Sequence, residues 1–152
     1  MFSDVQTALV ALLEAKRVEA ESSGVAAGRL APLVVKPYSG EFLRRDELVN
    51  LLPAVFVELD DGRLEAQNLS GSDYRGELPF DVICAVLNEA GADAAYSDGV
   101  ALLTWTFEAL KGEQLTLPSG LPVWWDAYRF RRIVAGGALW AYALTPNMKT
   151  DD

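Results

Sequence analysis

The side chains of this sequence that could do chemistry are carboxylates. Glu58, Asp60, Asp61 and Glu65 crowd around an Asp-Gly pair. Paired carboxylates can act as the acid and base of a glycosidase or as ligands of a hard cation. Their spacing matches no calcium loop, and acids beside a glycine turn in an acidic chain more commonly form a solvated hairpin tip. With no histidine anywhere, Ser-His-Asp and Cys-His arrangements and imidazole metal sites are excluded. The lone Cys84 cannot build a thiolate zinc site, and its setting in FDVICAVL marks a core thiol rather than an activated nucleophile. No glycine-rich run followed by Lys-Ser or Lys-Thr is present to cradle phosphate. The expectation is a protein that is not an enzyme, needs no cofactor or metal, and works through its surfaces.

Two further groups bear on those surfaces. Trp124 and Trp125 could stack a ligand, but adjacent strand residues point to opposite faces and cannot form one platform. Core burial of one and interfacial burial of the other is the expected arrangement, because Trp and Tyr anchor interfaces. Arg129, Arg131 and Arg132 gather three of the 13 basic residues within four positions. An acidic patch elsewhere on the same molecule would make this cluster half of a head-to-tail contact, and ordinary pairing across a sheet is the equal alternative.

The formal charge of −9 argues against a duplex-binding surface, which needs clustered Lys and Arg to displace counterions. At 152 residues, 51% hydrophobic and 10% aromatic, the chain has the length and composition of one folded domain. No apolar run reaches the length of a membrane span, and the N-terminal segment has neither a basic leader region nor a cleavage site, so a soluble cytoplasmic protein is expected when made. The single cysteine is consistent with a reducing compartment. Asn68-Leu69-Ser70 matches a glycosylation sequon, which carries no weight in such a chain.

The elements that would position these residues follow from periodicity. Ser3 and Gln6 form a capping-box signal, and Val5, Ala8, Leu9 and Leu12 recur at helical spacing, predicting a helix over 4–21. The aperiodic, glycine-containing 22–31 predicts a mobile connector, followed by a strand at 33–36. An apolar strand over 54–60, a turn at Asp61-Gly62 and a strand over 63–69 predict a β-hairpin. Residues 78–87 are apolar on both faces, as in a central strand covered on both sides. Ser97 and Asp98 open a second helix with Val100, Leu103, Phe107 and Leu110 as its stripe, ended by Gly112. Strands at 123–134 and 139–144, joined at Gly136-Gly137, predict a second hairpin with Trp140, Tyr142 and Leu144 on one face and Ala141 and Ala143 on the other. Tyr128 and Phe130 then oppose Arg129 and Arg131, and 146–152 is left as a C-terminal tail. The sum is a single α+β domain over 1–152: a mainly antiparallel sheet of four to six strands packed against two helices.

At Pro37-Tyr38-Ser39-Gly40-Glu41-Phe42 and Leu52-Pro53-Ala54-Val55-Phe56-Val57-Glu58, the chain resembles a family of tail terminator, or tail completion, proteins encoded by Mu-like phages and prophages. The resemblance implies a structural subunit that caps the tail tube as a ring, hexameric in form, and offers a surface for joining the head. Its partners would be copies of itself, the tail tube protein and a head or neck connector, with no sequence-specific nucleic acid and no membrane. Its place would be the head-proximal end of the virion tail, and the host cytoplasm during assembly. A ring subunit needs two different complementary surfaces and no active site, which agrees with the residues. Exposed charge, aromatics and loop position select Tyr38, Glu41, Phe42, Arg44, Arg45, Glu47, Arg129 and Arg131 as the subunit or tube interface. Two other readings stay open: another neck component such as a head-tail stopper, and a small-molecule module with a pocket lined by Trp105, Trp125 or Trp140.

Overall fold

The computed structural model describes residues 2–60, 64–66, 74–136 and 138–151. The Asp61-Gly62 turn, the Asn68-Leu69-Ser70 sequon and Gly137 lie outside them. In chain order the elements are α1 (Phe2–Ser23), β1 (Val34–Pro37), a 3-10 turn (Glu41–Leu43), α2 (Arg45–Leu51), β2 (Ala54–Leu59) and β3 (Leu64–Ala66). There follow β4 (Tyr74–Leu78), β5 (Phe80–Leu87), α3 (Ala92–Leu110), β6 (Leu115–Thr116), β7 (Pro122–Gly136) and β8 (Leu139–Asp151).

The strands form one mixed sheet, and the fold is α+β. β1 runs parallel to β2, and every other pairing is antiparallel. β4 and β5 behave as one long strand interrupted at Pro79, because Leu78 faces Met148 and Val82 faces Leu144 in an unbroken register against β8. Proline cannot donate to a ladder, so the break falls where no bond is lost. The eight segments therefore make six rows: β1, β2 with β3, β5 with β4, β8, β7 and β6.

The first expected hairpin is not formed between β2 and β3. β2 pairs with β1 and β5, while β3 pairs with β4, so β2 and β3 lie along the same long partner instead of against each other. The Asp-Gly signal is local, and the larger apolar area buried against β5 outweighs it. The second hairpin is present, but β8 continues through the residues expected as a tail to Asp151. Pro146, which reads as a strand end, sits opposite Tyr128 beside a bulge in β7, where a missing N–H is tolerated.

α1 and α3 cover one face of the sheet. Val5, Leu9 and Leu13 of α1 meet Val55 and Val57 of β2, Val82, Cys84 and Val86 of β5, and Trp140 and Leu144 of β8 in one core. The Gln6 side-chain amide donates to the Val57 carbonyl at 3.0 Å and fixes α1 along the sheet. The helix expected from Ser97 starts earlier, at Ala92, because the alanine-rich turn after Gly91 is itself a good helix former. Its buried stripe is Ala95, Gly99, Leu102, Trp105, Thr106, Ala109 and Leu110, which leaves Val100 exposed and Leu103 and Phe107 only partly buried. Gly99 lets α3 approach β8, since a Cβ there would overlap the indole ring of Trp140.

Candidate functional site

The opposite face of the sheet is built differently. The residues alternating with the helix-covered core are Ala54, Phe56, Ile83, Ala85, Ala141 and Ala143, and they form a second, smaller cluster with Leu48 of α2. Four of these six sheet positions are alanine, so the face is flat. Its cover is α2, an element that the sequence periodicity did not predict. The signal was present: Asp46 and Glu47 in the first turn, Leu48 and Leu51 spaced to face inward, and Pro53 beyond the end.

Tyr38, Phe42 and Phe56 pack as an aromatic triad at 5.7, 5.9 and 6.1 Å between ring centres, and this seats the 3-10 turn on β1 and β2. Gly40, at φ 89°, supplies the left-handed residue that reverses the chain before the turn. Glu41, 1% exposed, folds its carboxylate back. It accepts from the Ser39 amide at 2.8 Å and the Ser39 hydroxyl at 2.6 Å, and pairs with Lys36 at 3.0 Å. Burial alone would raise its pKa, but the Ser39 hydrogen bonds and Lys36 outweigh burial and bring it from the ordinary 4.5 down to about 2. Glu41 thus holds the turn from inside, while Arg44 and Glu47 form an exposed pair at 2.6 Å and Leu43 stands 89% exposed beside them.

A polar row crosses the same face. Asp81 lies opposite Glu58 on β2 and is 1% exposed. Its carboxylate accepts from the Thr145 hydroxyl and from the Arg131 guanidinium at 2.9 Å. Burial, then Asp81 and Asp60, raise the Glu58 pKa against the opposing pull of Arg131. Arg131 therefore pairs across the sheet, while Arg129 and Arg132 are exposed and take part in none of the ion pairs among the described residues. The predicted site residues Tyr38, Phe42, Arg44, Glu47, Arg129 and Arg131 thus fall into two groups. The first sits on the turn and α2 beside β1 and β2, and the second sits on β7, three rows away. Arg45 opens α2.

The groups weighed as chemistry take other roles. Cys84 is fully buried, with burial pushing its thiol up to about 12 against the lowering effect of Thr106, whose hydroxyl accepts from Sγ at 3.3 Å. Among the described residues no three His, Cys, Asp or Glu side chains are grouped to hold a metal ion. No helix among them is long and apolar enough to cross a membrane. Trp125 is buried, its indole N–H donating to the Leu110 carbonyl at 3.0 Å, while Trp124 points the other way and is exposed. Trp140 is buried and stacked on Tyr142 at 4.8 Å. Trp105 edges a shallow groove of about 220 Å³ whose rim is charged, with Lys16, Glu19, Arg29 and Glu108.

No known family and no curated protein matches the chain. Among solved structures, a chain of the virion of a native gene transfer agent (GTA) particle is similar in fold, with a TM-score of 0.52 and 19% sequence identity. The match covers 99% of this chain and 96% of that one.

Proposed function

We propose that this chain is a non-enzymatic structural subunit of a phage-like particle. The observation that carries the reading is the fold shared over nearly the full length of both chains with a component of a gene transfer agent virion. Within that class, the Pro37–Phe42 and Leu52–Glu58 segments favour a tail terminator, a subunit that closes a hexameric ring on the last ring of the tail tube and presents a surface to the head or neck. A described interior whose one cysteine is inert, and whose aromatic side chains pack in the cores, supports a role carried by surfaces.

The reading places the chain at the head-proximal end of the tail, with the tube protein on one side and a connector on the other. Gold labelling of a tagged chain in assembled particles tests this. Label at the tail-head junction is expected, and label at the distal tip, or particles free of the chain, would contradict it.

A further inference from the structure

Leu43 is 89% exposed, yet it is not on a loose loop. Its neighbour Phe42 is anchored on Tyr38 and Phe56, and Glu41, the residue before Phe42, is locked by Ser39 and Lys36. A branched apolar side chain is thereby held out in water at the head of α2, with the exposed carboxylate of Asp46 beside it and Arg44 occupied by Glu47. Three rows across the sheet, the β7 bulge between Trp125 and Tyr128 opens a depression of about 240 Å³ lined by Ala127, Tyr128, Arg129 and Asn147. Beyond Val123, β7 has no strand on its outer edge among the described residues. The knob carries Asp46 beside the Arg44–Glu47 pair, and the hollow carries Arg129.

We infer that these are the two halves of one head-to-tail contact between copies of this chain, with Leu43 of one copy seated in the Ala127–Asn147 hollow of the next and Asp46 facing Arg129. The inference rests on the ring reading and specifies its subunit contact. Because the two patches differ and occupy separate parts of the sheet, the contact is heterologous. Each copy keeps a free knob and a free hollow until the ring closes. An apolar anchor filling a recess with a charge pair at its margin is the composition that concentrates binding energy in an interface.

The test uses the full chain with Asp46→Cys and Arg129→Cys, assembled into particles and treated with a short bis-maleimide, because an Asp–Arg pair holds its Cβ atoms farther apart than a disulfide allows; the native Cys84 is fully buried and stays silent. A cross-linked ladder that ends at one closed size is expected. Leu43→Asp in that background should abolish the ladder and weaken self-association by about tenfold or more. Particles that contain the double variant but give only monomer would overturn the contact and leave the ring reading standing. Absence of the wild-type chain from particles would overturn the ring reading and this inference with it.

Discussion

On the face of the sheet under α1 and α3, Cys84, Trp140 and Leu144 are buried among the leucines and valines of two long helices. On the reverse face, the alternating positions are Ala85, Ala141 and Ala143, under a seven-residue helix and a polar row of Glu58, Asp81, Thr145 and Arg131. One face holds the molecule together by volume and apolar area. The other keeps a flat floor, with Asp81 and Glu41 buried and Arg131, Arg44 and Glu47 exposed at its surface. A single strand can serve both ends because its side chains alternate, so selection for stability on one face leaves the other free.

That contrast can be broken experimentally, beginning on the helix-covered face. Leu9→Ala empties a fully buried position, and a loss of about 3 kcal/mol is expected in denaturant unfolding. A loss below about 1 kcal/mol would mean that α1 packs less firmly than described. Gly99→Ala drives a methyl into the Trp140 ring, and a loss of about 2 kcal/mol with altered tryptophan fluorescence is expected. An unchanged melting temperature would refute the close approach of α3 to β8.

Substitutions on the reverse face should cost no more than these and respond to pH. Glu41→Gln should destabilise by about 2 kcal/mol at pH 7, since hydrogen bonds to a charged group are lost. The sign follows from a pKa lowered in the folded state. The stabilisation is present above the ordinary 4.5 and disappears as pH falls toward about 2, so variant and wild type should converge there. A gap that persists at low pH would mean the carboxylate charge is not what holds the turn. Arg131→Ala leaves Asp81 buried with Thr145 alone, and because Arg131 is largely exposed a loss near 1 kcal/mol is expected. Glu58→Gln runs the other way. A raised carboxylate pKa means stability held at low pH is lost as the group ionises, so the variant should be more stable by a few tenths of a kcal/mol at neutral pH and equal to wild type in acid.

The helix-covered face was the legible one. The alternation of Trp140, Tyr142 and Leu144 with Ala141 and Ala143, the central placement of the Phe80–Leu87 strand, the core role of Cys84 and the existence of both long helices can be read from period, although the stripe expected for α3 shares only Leu110 with the buried one. The reverse face was not. α2 is too short for a period to declare itself, and its charged first turn reads as a connector. Glu41 looks like a surface acid within a charged motif, and only the fold of the Ser39-Gly40 turn places it inside. Asp81 looks like one polar residue in an apolar strand, and its partners Thr145 and Arg131 are 64 and 50 residues away. The β2–β3 hairpin failed for the same reason, since a strong local turn signal carries no information about the longer partner that β2 and β3 both find in β4 and β5.

The reverse face is proposed to serve the assembly of a phage-like particle. The measurement that tests it most directly is electron microscopy of phage-like particles assembled without this chain, scoring tail length and head attachment. Overlong tails, or tails detached from full heads, are the predicted result. Particles of normal tail length with heads attached and infectivity intact would contradict it.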